Sequence, residues 1–197
     1  MKNKYILLRH GQTIYQTPKK RDFLYPWPDF KTGLTKKGIK QAEKAAKELK
    51  KEKIDFIYSS DFLRTFQTAG IVAKELGLKK VNLDKRLRDT NWGIFEGGPS
   101  EKYRRFFSSV RQRFFRRPPK GENWRDVKKR MKDFIKELEN KYKNKTILIV
   151  SHGDPIWLAN GFLKGISEKK ILEVRNFDNL SFSVKGFYPG PGEFLMV

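Results

Sequence analysis

Two short apolar runs, each followed by a histidine and a glycine, constrain the fold of this chain more than any other feature. They cover residues 5–8 and 147–150, and the dipeptides His10-Gly11 and His152-Gly153 follow them. An apolar run closed by glycine predicts a buried strand that ends in a tight loop. In open α/β sheets, ligands bind beyond the carboxyl ends of the strands. The chain's two histidines are therefore expected to share one site.

The rest of the pattern alternates strands with helices, which predicts a three-layer α/β/α sandwich with a mostly parallel central sheet. Thr35 is predicted to cap the first helix and Gly77 to follow the second. Residues 1–197 are interpreted as one domain. The predicted strands cover residues 4–8, 55–59, 81–83, 146–150, 180–185 and 193–197, and the predicted helices cover residues 36–51, 61–76, 99–115, 122–142, 154–163 and 167–172.

Residues 98–142 are predicted to form a helical insertion that covers the sheet as a lid. Pro118-Pro119 separates its two helices, because proline interrupts helical hydrogen bonding. The stretch 101–132 holds 13 basic and 3 acidic residues, and its arginines suit a second phosphate or a carboxylate of a substrate. We expect one or two of them at the site, with Arg113 and Arg116 as the candidates. The alternative is that most of these arginines face solvent.

The chain has a formal net charge of +22. Such a field attracts phosphorylated metabolites and polyanions, but a lysine-rich solvated surface explains the charge equally well. Binding of RNA or polyphosphate is kept as an alternative function, although no recognisable motif supports a specific nucleic-acid partner. The lack of cysteine excludes disulfides and thiolate nucleophiles, and no apolar run reaches the roughly 18 residues of a membrane helix. We expect a cytoplasmic protein without a membrane partner, as a monomer or homodimer.

Three short motifs carry groups suited to phosphate chemistry. Arg9 offers a forked guanidinium for phosphoryl oxygens, and the neighbouring His10 offers an imidazole that can attack phosphorus. Arg64, in the first turn of the second helix, places another guanidinium near the same sheet edge. His152, once protonated, would stabilise charge on the transferring group. Taken singly, these side chains also fit structural roles: a histidine satisfied in its loop, an exposed arginine and a helix cap.

The ordered set of segments resembles the histidine phosphatase superfamily, also called phosphoglycerate mutase-like. The segments are residues 8–13, 34–42, 59–69, 87–97, 121–127 and 150–153. The resemblance implies that His10 is the phosphorylated nucleophile and that Arg9, Arg64 and His152 surround the phosphate. Further contacts to the substrate are assigned to Gln12, Thr13, Gln16 and Gly153.

The family places a proton donor, usually glutamate, where this chain has Asp89. The reference pKa of an aspartate, about 3.9, must rise through burial or hydrogen bonding before the group can donate a proton near neutrality. Glu96 is the second candidate, with a structural role in its loop as the favoured interpretation. Asp154 is expected to be a helix N-cap rather than an acid.

The resemblance leaves two reactions open. A phosphatase releases the phosphoryl group to water, whereas a 2,3-bisphosphoglycerate-dependent phosphoglycerate mutase returns it to a second hydroxyl. Residues 87–93 lack the mutase's Asn-Glu-Arg-His-Tyr-Gly pattern, and residues 14–16 lack its Trp-Asn. These departures favour a phosphatase that acts on a small phosphorylated metabolite. No cofactor is expected, and a metal site built on the two histidines is disfavoured because no third nitrogen or sulfur ligand exists.

Overall fold

Five strands form a single sheet in the computed structural model, which describes residues 1–175 and 187–197. They are β1 (Lys4–Arg9), β2 (Phe56–Ser59), β3 (Val81–Leu83), β4 (Thr146–Ser151) and β5 (Phe194–Met196). Their order is β3-β2-β4-β1-β5, with four strands parallel and β5 antiparallel to β1. The predicted strand over 193–197 is thus present as β5, whereas the one over 180–185 lies outside the described residues.

Helices cover both faces of this sheet. They are α1 (Lys36–Leu49), α2 (Leu63–Glu75), α3 (Ser100–Arg105), α4 (Trp124–Lys141), α5 (Gly153–Leu163) and α6 (Glu168–Arg175). Leu8 of β1 lies in one core cluster with Val72 of α2, while its neighbour Leu7 lies in another with Phe134 of α4. Successive side chains of a strand point to opposite faces, so a strand covered on both faces must be apolar throughout. The predicted three-layer α/β sandwich is confirmed.

The segment predicted as a lid divides into two parts. Met131, Phe134 and Leu138 of α4 belong to the core cluster on one face of the sheet, so α4 is a layer of the sandwich rather than a cover. The candidate covering segment is therefore shorter and comprises residues 98–123. The prediction of a continuous helix over 99–115 is wrong, because α3 ends at Arg105 and the next helical segment is a 3₁₀ helix over Val110–Phe114.

A local hydrogen bond at Ser108 and the clustering of aromatic side chains account for this interruption. Serine favours turns over helix interiors, and the Ser108 amide donates to Oε1 of Gln112 at 3.0 Å. The aromatic side chains cluster with one another, as the 5.0 Å between the ring centroids of Tyr103 and Phe107 shows. The stripe of aromatic residues therefore reflects a small local core rather than one long helix face.

The helix ends predicted from sequence are confirmed where they affect the site. The amide of Gly38 donates to Oγ1 of Thr35 at 3.0 Å and caps α1, while Gly77 follows α2 with φ of +68°. In the described part of the chain, no helix combines the length and apolarity that crossing a membrane requires.

Candidate active site

The carboxyl ends of β1, β2 and β4 meet at one edge of the sheet, because the three strands are parallel. His10, Ser60 and His152 follow these strands in turn, and all three are buried. The rings of His10 and His152 lie 5.2 Å apart between centroids. The fold therefore gathers both histidines of the chain into one cluster.

His10 is held as a neutral imidazole. Its Nδ1 lies 2.8 Å from the carbonyl oxygen of Gly11, which can only accept, so this nitrogen carries the proton. Burial is the main cause that lowers the pKa of His10 well below its usual value, and the charges of Arg64 and Arg9 lower it further. The unprotonated Nε2 is left with a lone pair suited to nucleophilic attack.

His152 is neutral as well, so the charge-stabilising role predicted from sequence requires that the ring first takes up a proton. Its Nε2 lies 3.0 Å from Oγ of Ser60, and its Nδ1 lies 3.6 Å from Oδ2 of Asp89. Burial is the main cause that lowers the pKa of His152 well below its usual value, and the charge of Arg64 lowers it further. The guanidiniums of Arg64 and Arg9 thus supply positive charge near the site, and His152 becomes a further cation only if an anion enters.

Arg64 is fully buried, so the interpretation of this residue as an exposed arginine is wrong. Its position in the first turn of α2 directs it into the cluster. One amino group donates to Oδ2 of Asp29 at 2.7 Å, and the other donates to Oδ2 of Asp89 at 3.3 Å. The guanidinium carbon also lies 3.9 Å from the ring centroid of Tyr25. Both the edge and the face of the guanidinium are therefore fixed.

Arg9, at the end of β1, lies near the first turn of α5. One of its amino groups donates to the carbonyl of Pro189 at 3.1 Å, and its guanidinium lies 5.4 Å from the ring centroid of Tyr188. A Cβ on Gly153 would collide with the Tyr188 hydroxyl and approach the Arg9 guanidinium to 3.2 Å. The glycine predicted to contact substrate therefore makes room for these two side chains.

Asp154 does not cap α5, in contrast to the expectation from sequence. His152 is the N-cap residue, and Asp154 lies in the first turn. One carboxylate oxygen accepts from Nε1 of Trp124 at 3.0 Å and the other accepts from the Tyr188 hydroxyl at 3.2 Å. The carboxylate therefore ties α4 to the residues around Arg9.

Asp89 lies between the two catalytic candidates Arg64 and His152. Oδ1 of Asp89 accepts the Thr90 amide at 3.0 Å, and Oδ2 faces the guanidinium and the imidazole. Burial raises the pKa of Asp89; the charge of Arg64 opposes this rise and that of Asp154 adds to it. Burial thus shifts the pKa of Asp89 in the direction that a role as an acid requires.

The backbone around Asp89 is held by Arg130 of α4. Its amino groups donate to the carbonyls of Arg86, Arg88 and Asp89 at 2.6, 2.7 and 2.8 Å. Glu96, the second candidate for the proton donor, is exposed at the end of a short 3₁₀ helix, Gly93–Phe95. Of these two carboxylates, only Asp89 is buried in the cluster.

The loop after His10 uses its polar side chains to hold its own shape. Oε1 of Gln16 accepts the Thr13 amide at 2.7 Å, and Nε2 of Gln16 donates to the Tyr25 hydroxyl at 2.6 Å. Thr13 is fully buried, with its Oγ1 2.6 Å from the same hydroxyl. Oε1 of Gln12 accepts from Oγ1 of Thr35 at 2.9 Å. Gln12, Thr13 and Gln16, which were predicted to contact substrate, thus make hydrogen bonds that hold the loop and its surroundings together.

The two arginines chosen from the basic stretch contact aromatic rings. The Arg113 guanidinium lies 5.1 Å from the ring centroid of Tyr103 and 5.4 Å from that of Trp124. Arg116 is exposed; its guanidinium lies 3.9 Å from the ring of Phe106 and donates to that residue's carbonyl at 2.8 Å. Both arginines therefore lie against aromatic rings, those of Tyr103 and Trp124 for Arg113 and that of Phe106 for Arg116.

Tyr25 and Asp29 are two site residues that the sequence pattern did not single out. Both come from the proline- and aromatic-rich loop over residues 17–33, whose pattern indicated only irregular structure. Within residues 1–175 and 187–197, no three histidine, aspartate or glutamate side chains are arranged to hold a metal ion.

Comparison with known proteins identifies relatives over most of the chain. The family model described as histidine phosphatase superfamily (branch 1) matches residues 5–197. The chain is 31% identical over 186 residues to phosphoserine phosphatase 1 of Hydrogenobacter thermophilus, covering 92% of this chain and 85% of that protein. It is 32% identical over 177 residues to a probable phosphoglycerate mutase, GpmB, of Yersinia pestis, covering 86% and 80%.

Solved structures share the fold. A mycobacterial glucosyl-3-phosphoglycerate phosphatase superposes with a TM-score of 0.79 at 24% identity, covering 98% of this chain and 88% of that chain. A phosphoserine phosphatase of Entamoeba histolytica superposes with a TM-score of 0.70 at 24% identity, covering 98% and 89%. With a family model that matches nearly its whole length, this chain belongs to the histidine phosphatase superfamily, branch 1.

Proposed function

We propose that this protein hydrolyses the phosphomonoester of a small phosphorylated metabolite through a phosphohistidine formed on His10. The observation that carries the proposal is the state of His10: its ring is buried and neutral, its Nδ1 proton is directed to the Gly11 carbonyl, and two guanidiniums lie nearby. A neutral imidazole with a fixed tautomer, surrounded by cations, is the arrangement that in-line attack on a phosphate requires.

The first step forms a bond from Nε2 of His10 to phosphorus and breaks the bond between phosphorus and the ester oxygen. Arg64 and Arg9 balance the charge on the equatorial oxygens during this transfer. Asp89, protonated in its buried position, gives its proton to the departing alkoxide. The alcohol leaves, and Asp89 remains as a carboxylate.

The second step returns the enzyme to its starting state. The Asp89 carboxylate accepts a proton from water as the water oxygen attacks the phosphorus of phospho-His10. The bond from Nε2 to phosphorus breaks, inorganic phosphate is formed, and Asp89 is protonated again. His152 lies beside Asp89 and His10 and can take up a proton when the anionic phosphoryl group occupies the cluster.

The substrate's remaining part is proposed to contact residues 98–123, where Arg113 lies among aromatic rings. Aromatic rings that carry the guanidiniums of Arg113 and Arg116 suit a small organic phosphate that has a second acidic group. We propose no metal requirement, because arginines supply the cations. The cytoplasmic location and the monomeric or homodimeric state stay predictions from sequence.

The experiment compares wild type with His10→Ala on p-nitrophenyl phosphate and a panel of metabolite phosphates, with a chelator present. Wild type should turn over, and His10→Ala should lose several orders of magnitude in kcat. Rapid acid quenching with labelled substrate should trap a phosphoenzyme in wild type only. Full activity of His10→Ala, or a need for a divalent metal, would refute the mechanism.

A phosphoglycerate mutase is the second candidate, because one relative at 32% identity is named a probable mutase. The two reactions differ in the acceptor of the phosphoryl group. Isomerisation of 3-phosphoglycerate that depends on 2,3-bisphosphoglycerate would identify a mutase, whereas release of inorganic phosphate without it would identify a phosphatase. Binding of RNA or polyphosphate, the third possibility from sequence, would show as salt-sensitive binding retained by His10→Ala.

A further inference from the structure

Asp29 is the closest ionic partner of Arg64 in the described structure. Its Oδ2 lies 2.7 Å from one amino group of Arg64, compared with 3.3 Å between the other amino group and Asp89. The side chains of Asp29 and Arg64 are 1% and 0% exposed. Replacing a buried ion pair by apolar side chains is often neutral or stabilising, so the pair of Asp29 and Arg64 is weak evidence for a role in stability alone.

The carboxylate of Asp29 is itself fixed by its loop. Oδ1 accepts the backbone amides of Lys31 at 3.3 Å and Thr32 at 3.0 Å, which leaves Oδ2 for Arg64. Tyr25, four residues earlier, lies under the same guanidinium and is anchored through its hydroxyl to Gln16. One loop therefore holds Arg64 by an edge and by a face.

Arg64 would have a different partner without Asp29. A buried guanidinium needs a counter-anion, and Asp89 is the other carboxylate bonded to it. A closer pair between Arg64 and Asp89 would draw the guanidinium away from its place and favour the ionised form of Asp89. Both changes would oppose the reaction, because Arg64 must face the phosphoryl group and Asp89 must carry a proton.

We infer that Asp29 is a positioning residue, which holds Arg64 so that the guanidinium serves the phosphoryl group and leaves Asp89 free to act as the acid. The inference rests on the proposed function, since it assigns Asp29 a role in that reaction. Asp29 acts through Arg64 and touches neither histidine in the contacts described.

The pH dependence of kcat reports this role, because Asp29 alters the charge that Arg64 exerts on Asp89. The charged groups around Asp89 and Arg64 are as follows. Arg64, His152, Arg9 and Asp154 act on Asp89, together with the Thr90 amide. Arg64 in turn faces Asp29, Asp89, Tyr25 and both histidines. Removing the charge of Asp29 leaves Arg64 to act more strongly on Asp89, so the pKa of Asp89 falls. The alkaline limb of the kcat profile, where Asp89 loses its proton, moves to lower pH.

The test uses Asp29→Asn, with Asp22→Asn as its control from the same loop. The Asp22 side chain is exposed and lies 4.0 Å from Arg21. With p-nitrophenyl phosphate and a metabolite phosphate, Asp29→Asn should lower kcat about 10- to 100-fold, the effect expected from a small misplacement of a catalytic group. KM and the calorimetric Kd for tungstate should change far less than kcat, because the loss of an acidic charge near the anion offsets the displacement of the Arg64 guanidinium. Asp22→Asn should match wild type.

A double-mutant cycle separates positioning from general support of the fold. If Asp29 acts through Arg64, Asp29→Asn should have little further effect in the Arg64→Lys background. Equal fold-losses in both backgrounds would overturn the inference, as would an unchanged kcat and pH profile. Weakening of tungstate binding in proportion to kcat would also overturn it, because that is the mark of a disordered site.

Loss of folding in a variant and loss of the proposed function are distinguished as follows. If Asp29→Asn does not fold, Asp29→Ser takes its place, since a hydroxyl can still accept the turn amides but is too short to reach Arg64. Failure of both variants to fold would make Asp29 a structural residue and overturn the assignment. The proposed function fails separately, when wild type lacks hydrolysis or His10→Ala retains it. The Asp29 assignment fails when wild type is active and Asp29→Asn equals it.

Discussion

Acid should destabilise this protein through its two buried histidines. Both rings are neutral in the folded chain because burial and nearby guanidiniums lower their pKa values well below normal. In the unfolded chain the same rings have their ordinary pKa of about 6.5. The unfolded state therefore binds more protons below that pH, so the stability is present above it and lost as the pH falls.

The magnitude follows from the number of protons. At about pH 5.5 each neutral histidine lowers the free energy of unfolding by between 1 and 2 kcal/mol, or about 3 kcal/mol for the pair, relative to about pH 7.5. For a chain of this length such a loss lowers Tm by about 6–12 °C. Asp89 has the opposite sign, because its raised pKa lets the folded state hold a proton that the unfolded state releases.

The assay measures Tm from pH 7.5 to pH 5.5 for wild type, His10→Asn, His152→Asn and the double variant. Each single variant should lose about half of the wild-type decrease, and the double variant most of it. Carboxylates whose pKa is lowered, such as Asp126, titrate alike in all four proteins and cancel in the comparison. An equal decrease of Tm in all four proteins would refute the assignment of neutral buried histidines.

Two further predictions concern the acid and the loop that carries the nucleophile. In single-turnover experiments, Asp89→Asn should slow phosphoryl transfer from an alkyl phosphate about 10²- to 10⁴-fold. Transfer from p-nitrophenyl phosphate should slow far less, because p-nitrophenolate departs without a proton. Equal losses with the two substrates would contradict a role of Asp89 as general acid. Gly38→Ala places a Cβ against the backbone of Gln12, next to the His10 loop, and should lower kcat and remove about 1–3 kcal/mol of unfolding free energy, as measured by urea unfolding. Gly70→Ala in α2, where a Cβ meets open space, is its control and should not destabilise.

The parts of the fold that could be predicted from sequence are those fixed by periodicity. Residues 5–8 of β1 and 147–150 of β4 form apolar runs because helices cover both faces of these strands, and the direction of the strands predicts where the histidines that follow them lie. The interrupted helix after Pro99 could not be predicted in the same way. Its aromatic residues have helical spacing, yet they satisfy one another in a local cluster, and spacing does not distinguish these two uses.

The partners of Arg64 could not be predicted because they depend on the path of a loop. Backbone pairs fix that path: Leu24 donates to the Gly98 carbonyl at 2.9 Å, and Ser100 donates to the Asp22 carbonyl at 2.7 Å. These pairs join two irregular segments that are about 75 residues apart in sequence, and no local pattern encodes them. The motif around Arg64 indicated a phosphate-binding residue, but not the acid that holds it.

The same path links the candidate substrate surface to the reaction centre. Residues 98–100 begin the segment that carries Arg113, and their backbone pairs lead to Tyr25 and Asp29, which hold Arg64. A substrate that settles on residues 98–123 therefore rests on a segment bonded to the loop that fixes the guanidinium. Under the proposed function, substitutions in residues 98–123 would therefore be expected to affect the placement of Arg64 through these backbone pairs. Under the proposed function, selection among phosphorylated substrates would fall to this pair of segments, because a net charge of +22 does not distinguish one anion from another.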